Sequence, residues 1–325
     1  MFIIRHKNIF FTLTALIVVA AAACILAFGL HLSIDFTGGT LAQISYDGTR
    51  PSQQALTQNL QDAGFKDFSV RETGTNGVTF RTQTLTSDER ANLGAYFTNQ
   101  SASAHIDSLN EIGPTISTEL RNKSIVAVGL VLLCILLFIA FAFRKVSKPI
   151  SSWVYGLIAL VTLLHDVIVP VGFYAALGHF TGVQVDTLFV TAVLTVLGFS
   201  IHDTIVVFDR VRENLRINQD KGKKEDFAET AGRSLSQTFV RSINTSLTVL
   251  ITLLVLYFVG PAATKDFALT LLVGIIAGTY SSVFLATPLL VVIEQRRRQA
   301  GKEGVRSHYM SIRNAYYYGY FSPRG

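Results

Sequence analysis

The chain has 325 residues, half of them hydrophobic and only 15% charged, with a formal net charge of +6. Soluble domains carry about 25% charged residues, and the apolar residues here come in blocks of roughly 18 or more, long enough to cross a bilayer. A soluble enzyme is excluded, and an integral membrane protein is expected. The two cysteines, Cys24 and Cys134, both lie inside apolar blocks, which argues against a disulfide framework.

The first span is predicted at residues 8–30, behind Arg5, His6 and Lys7. A basic stretch before an apolar run also begins cleaved leaders, and Ala21-Ala22-Ala23-Cys24 has the look of a lipoprotein cleavage site. The apolar run continues past Cys24 and no Leu stands three before it. An uncleaved anchor of spanning length is therefore expected.

Residues 32–112 turn polar. Strands are predicted at 40–46, 67–72, 78–83 and 103–109, and helices at 51–63 and 86–97. Pro51 suits a first helical turn, Ser87 with Arg90 is a weak cap, and a turn is expected over Gly74–Gly77, where Asn76-Gly77 reads as a hairpin signal. The order βαββαβ predicts a small ferredoxin-like α+β domain. It holds one histidine, His105, and no cysteine. With no nucleophile–base spacing and no metal-ligand cluster, it is expected to act by binding or coupling rather than catalysis.

Five further spans are predicted at 125–143, 153–177, 185–208, 239–259 and 267–293, making a bundle over 125–293. A loop of about thirty residues is expected between spans four and five. With six spans, the basic N-terminus, the 144–148 loop, the span four–five loop and the tail over 294–325 all fall on one face. The positive-inside rule makes that face cytoplasmic, with both termini there and the polar domain outside. The tail mixes basic residues with Tyr309, Tyr316, Tyr317, Tyr318 and Tyr320. Disorder, or rest on a membrane or partner surface, is expected of it, and nucleic-acid binding is not.

Polar residues inside spans are costly and mark interior faces. Span three carries His165 and Asp166, then Pro170; span four carries Thr191, Thr195, Ser200, His202 and Asp203. On span five, Arg241, Thr245, Thr248 and Thr252 recur at helical spacing, so they share a face that should meet the bundle interior or another subunit. Spans four and five run antiparallel, which puts Asp203 and Arg241 at compatible depths. Two readings of Asp203 stand at this point: an ion pair with Arg241 that fixes packing, or a carboxylate that takes and releases a proton. His165 and His202 are hydrogen-bonded interior histidines or relay members. Asp166, Thr245, Thr248 and Thr252 are candidates to line the path. Asp209 to Glu213 reads as a solvated helix exit, and Gly274 to Gly278 is a GxxxG packing face followed by Ser281 and Ser282. Gly38-Gly39 lacks the Lys and Ser/Thr of a phosphate loop, and no cofactor or metal site emerges.

Several of these stretches together resemble one family. Ile34-Asp35-Phe36-Thr37-Gly38-Gly39-Thr40 is similar to the DFTGG signature of the SecD/SecF family. The run Gly198 to Asn214, with His202-Asp203 and Asp209-Arg210 inside it, is similar to the span-four signature of its SecF members. His165-Asp166-Val167 and Arg241 to Ser246 also resemble that family. The resemblance reaches nearly the whole chain to about Arg298. It implies a six-span subunit, not an enzyme, that pairs with SecD in a pseudo-symmetric bundle related to resistance-nodulation-division exporters. It implies a place in the bacterial cytoplasmic membrane beside the SecYEG translocon, promoting passage of unfolded secretory chains with the proton gradient. The family's membrane aspartate and arginine fall by motif on Asp203 and Arg241, and a counterpart aspartate belongs to SecD. His202 departs from an Asn expected in some relatives. The rival expectations are a half-size exporter and a passive assembly subunit of the translocon.

Overall fold

The structure, a computed structural model, describes residues 2–65, 67–98, 104–144 and 150–300. Six helices among the described residues are long and apolar enough to cross a membrane. A short α1 (Phe2–Arg5) precedes α2 (Lys7–Phe28), the first span. The polar domain follows as α3 (Ile34–Thr37), β1 (Gly39–Tyr46), α4 (Gln53–Asp62), β2 (Phe68–Thr73), β3 (Gly77–Thr82), α5 (Ser87–Ala91), α6 (Leu93–Phe97) and β4 (Ala104–Ile112). The remaining spans are α7 (Pro114–Ala142), α8 (Ser152–Thr181), α9 (Thr187–Asp220), α10 (Phe227–Val259) and α11 (Ala262–Ser281). A π-helical turn, Ser282–Ala286, carries α11 onward, so that the sixth span covers Thr264–Ala300. The described residues divide into two compact units, one within Met1–Phe28, Leu130–Ala176 and Ala192–Gly325, the other within Gly29–Gly129 and Leu177–Thr191.

In the second unit the four strands form one antiparallel sheet in the order β2-β3-β1-β4, the ferredoxin-like arrangement of a βαββαβ chain. Leu56 and Leu60 of α4 and Leu93 and Phe97 of α6 are buried with Ile44 and Phe80 of the sheet. Each such side chain contributes roughly 1.5–3 kcal/mol of apolar burial. The Tyr46 hydroxyl donates to the Phe97 carbonyl at 3.0 Å, and burial pushes its pKa up to about 12.

Local details differ from the sequence expectations. The second helix is capped by Thr86 with Glu89 in a reciprocal capping box, not by Ser87 with Arg90. It also breaks at Asn92 into α5 and α6. Pro51 stands ahead of the helix, and Ser52 caps it. The hairpin closes through Gly74-Thr75-Asn76, with Thr73 paired to Gly77 and the positive φ (62°) on Gly74 rather than on Gly77.

The Gly38-Gly39 pair has a backbone explanation. Both residues take positive φ, 74° and 116°, and a Cβ on Gly39 would stand 2.4 Å from the Thr82 carbonyl oxygen, so only glycine fits. Just ahead of the pair, Asp35 accepts from the Thr187 amide and hydroxyl, both at 2.9 Å. It therefore supplies an acceptor to the orphan first turn of α9. Beside it, Ser33 N donates to Val185 O at 2.8 Å and Val185 N to His31 O at 2.7 Å.

In the first unit, α9 and α10 run well past the predicted span ends. The expected thirty-residue loop is only residues 221–226 between two long helices. The extension holds because its polar residues face one another. Asn214 Nδ2 donates to Ser234 Oγ at 2.8 Å and to Gln237 Oε1 at 2.9 Å. Glu225 accepts from Asn218 (2.7 Å), Arg233 (2.6 Å) and Thr230 (3.0 Å). The Asn218 bond leads in holding the Glu225 carboxyl down at about 2. The aromatic part of the tail, residues 301–325, and the 145–149 link lie outside the described residues.

Candidate functional site

Among the described residues the spanning helices bury three carboxylates, Asp166, Asp203 and, in the last turns of the sixth span, Glu294; the first two have very different surroundings. Asp166, on α8, is 0% exposed. His165 Nδ1 meets its Oδ1 at 2.8 Å, while Ser281 Oγ of α11 donates to Oδ2 at 2.9 Å. Ser200 Oγ of α9 donates to the same Oδ2. Three helices thus converge on one side chain. Around it, Thr204 and Ser282 hydroxyls bond at 2.9 Å and Ser282 Oγ donates to the Ser200 carbonyl at 3.3 Å.

Close helix approach makes this cluster reachable by side chains as short as serine. A Cβ on Gly274 would sit 2.3 Å from Val196 Cγ2, and one on Gly278 would sit 2.8 Å from Ser200 Cβ. The GxxxG of α11 is therefore what lets α9 come near. The π-helical turn begins at Ser282, next to the Asp166 ligand Ser281. Such turns accompany functional sites in helices and leave backbone groups to be re-satisfied.

Asp203, on α9, is 3% exposed but thinly held. Ser246 Oγ of α10 donates to its Oδ2 at 3.4 Å, and Ser246 in turn accepts from Thr279 Oγ1 at 2.7 Å. His202 Nδ1 stands 3.8 Å from Asp203 Oδ1, with a side chain 56% exposed. His202 is thus not an interior histidine of this chain, whereas His165 is buried.

The direct Asp203–Arg241 ion pair, one of the two sequence readings, is not among the contacts of the described residues. Ser242 and Ser246 are the buried positions on that stretch of α10, while Arg241 is exposed. One residue is about 100° around a helix, so Arg241 turns away as Ser242 turns in. Arg241 instead lines a cleft of about 300 Å³ with Val206, Asp209, Arg210, Glu213 and Gln237. The hydroxyls of Thr245, Thr248 and Thr252 donate to carbonyls of their own helix, those of Arg241, Asn244 and Thr248, at 2.8–3.0 Å. Thr248 and Thr252 are exposed and Thr245 half-buried. The polar stripe of span five is therefore an outward face, and it shares that exposure with His202 and Asp209 of α9.

Sequence reasoning named Ser200, Ser281 and Ser282 as polar or packing positions and missed that Ser200 and Ser281 hold Asp166, with Ser282 bonded beside them to Thr204 and the Ser200 carbonyl. A signal was present: small or hydroxyl residues at helical spacing on two spans, with a carboxylate on a third.

Six spanning helices, an α+β domain between the first two, and carboxylates buried inside the bundle define a multi-pass membrane protein that keeps ionisable groups within its spans. The family profile described as protein export membrane protein SecD/SecF, C-terminal, matches residues 92–296, and the SecD/SecF GG motif matches residues 25–49. The chain belongs to the SecD/SecF family of protein-export membrane proteins. It is 44% identical to protein translocase subunit SecF of Thermobaculum terrenum, over 90% of this chain and 94% of that protein. It is 33% identical to protein translocase subunit SecDF of Thermus thermophilus, over 88% of this chain but only 37% of that longer protein. The crystal structure of SecDF from Thermus thermophilus, described as a translocon-associated membrane protein, superposes with a TM-score of 0.78 at 31% identity. The match covers 90% of this chain and 38% of that one.

Proposed function

We propose that this chain is a SecF-type accessory subunit of the Sec translocon in a bacterial cytoplasmic membrane. Both termini lie in the cytoplasm and the α+β domain lies outside. With a SecD-type partner it uses the proton motive force to promote passage of secretory chains. The observation that carries this reading is the outward polar face of α9 and α10. An exposed arginine and an exposed histidine on spanning helices are costly against lipid. They fit a second helical subunit that brings matching polar groups. The fusion named SecDF, of which this chain matches 37%, supports SecD as that subunit.

In this assembly Asp203 is the proton-binding carboxylate. It is buried, with one long hydroxyl donor at 3.4 Å and the exposed His202 imidazole at 3.8 Å. Arg241 is the cation on the partner-facing surface, and its approach to or withdrawal from Asp203 couples proton occupancy to helix movement. Asp166 with His165 is the fixed polar centre behind it. His202, Thr245, Thr248 and Thr252 line the shared face. The α+β domain handles the translocating chain.

The test is Asp203→Asn in vesicles holding the translocon, the SecD-type partner and this chain. The amide keeps the size but cannot titrate, so gradient-driven secretion should fall to the level without a gradient. Secretion unchanged by the substitution would sink the proton role and favour a passive assembly subunit. Arg241→Met should also abolish the gradient's effect.

A further inference from the structure

A crevice of about 590 Å³ opens in the first unit between the N-terminal segment, α10 and the π-helical turn of the sixth span. Phe2, Ile3 and Phe10 form one wall, Leu235 and Phe239 another, and Phe284 the third. Phe10 and Phe284 stack at 4.6 Å, and Tyr280 continues the stack at 5.2 Å. The space exists because α10 presents Gly232 and Ser236 where larger side chains would fill it.

We infer that this crevice holds one acyl chain of an anionic glycerophospholipid, whose phosphate is met by Arg5 and Lys7. The lining offers water almost nothing. The one hydroxyl on it, Ser236 Oγ, donates to the Gly232 carbonyl of its own helix at 3.0 Å, and a buried water needs two to four polar partners. The occupant must therefore be apolar. The volume falls in the roughly 300–1,000 Å³ range of single small ligands, whereas a spanning helix is about 10–12 Å across. Phe2 lines the crevice and is 68% exposed, an apolar surface that an acyl chain would cover.

The charges around the crevice select the headgroup. Arg5, exposed, follows the lining residue Ile4 directly. Lys7 lies one turn before Phe10, and its Nζ donates to Gln295 Oε1 at 2.7 Å. On the acidic side, Glu229 is exposed one turn before Gly232. Asp226 and Glu294 are both engaged with Arg298. The local balance is cationic, as in basic pockets between spans that bind lipid headgroups.

The experiment is native mass spectrometry of the full chain, purified with its partner subunit, in micelles containing equal phosphatidylglycerol and phosphatidylethanolamine. The unaltered chain should retain one phosphatidylglycerol. Ser236→Trp fills the crevice from an exposed position and should lose that lipid, while Val240→Trp, on the exposed neighbouring face, should keep it. Arg5→Gln with Lys7→Gln should keep an acyl lipid but lose the preference for phosphatidylglycerol, by about fivefold for each cation removed. The inference is overturned by retention in Ser236→Trp equal to that of the unaltered chain. It is equally overturned if the two lipids are retained alike before any substitution. If Ser236→Trp releases the partner subunit instead of lipid, a helix occupies the crevice and the inference is wrong.

Discussion

Asp166 and Asp203 are both buried aspartates, yet the same substitution should destabilise the first far more than the second. Asp166 accepts from His165, Ser200 and Ser281, drawn from three spans. Asp166→Asn keeps the volume but turns one acceptor oxygen into a donor facing donors. Hydrogen bonds to a charged group contribute about 1.5–3 kcal/mol each, and leaving a buried donor unmet costs about 1–3 kcal/mol. The serine hydroxyls can rotate, and Ser281 already has the Gly278 carbonyl at 3.1 Å as an alternative. The loss should therefore be about 3 kcal/mol, less than the sum of three bonds. For a chain of this size that lowers Tm by roughly 4–5 °C. Asp203→Asn gives up a 3.4 Å contact from a neutral hydroxyl and a 3.8 Å approach from the exposed His202, together about 1 kcal/mol or less, and Tm should move by at most about 2 °C. The assay is thermal unfolding of the purified chain in detergent, with Ser200→Ala and Ser281→Ala as partial versions of the Asp166 loss. Equal destabilisation by the two Asn variants, or none from Asp166→Asn, would refute the division into a fixed centre and a labile carboxylate.

Other outcomes follow from single contacts. Gly274→Ala should cost about 1–3 kcal/mol by overpacking against Val196, and Val196→Ala in the same chain should recover most of it, read by the same unfolding assay. Gly39→Ala forces a Cβ to 2.4 Å from the Thr82 carbonyl at a φ of 116°; the α+β domain should then become the first site of protease cleavage in the full chain. The Glu225 carboxyl lies at about 2, below its ordinary 4.5. A depressed folded-state pKa adds stability above pH 4.5 that is lost as pH falls toward about 2. Amide protection across residues 214–234, taken relative to intrinsic exchange at each pH, should fall over that interval, and Glu225→Gln should show low protection at neutral pH with no such transition.

The one-dimensional pattern of the chain was enough for the six spans and for the βαββαβ order, because long apolar runs and alternating strand patterns need no knowledge of partners. It also picked out His165, Asp166, His202, Asp203 and Arg241, since any ionisable residue in such a run stands out. It failed at helix ends. Residues 209–238 look like a charged loop until Glu225, Asn218, Arg233 and Asn214 are seen to satisfy one another across two helices. The hairpin turn fell where the pattern put it, within residues 74–77, but strand register put the positive φ on Gly74 rather than on Gly77.

What the sequence by itself determined, then, is the set of polar groups inside the membrane and the order of the elements carrying them. Which groups meet was decided only by tertiary structure. Asp166 finds Ser200 34 residues away and Ser281 115 residues away, pairings that depend on how glycines at 274 and 278 let helices approach. Asp203 meets Ser246 while Arg241 lines a cleft with Val206 and Asp209, because one residue around α10 turns Ser242 inward and the guanidinium out. Helical phase and interhelical distance are properties of packed helices, and a linear pattern carries neither.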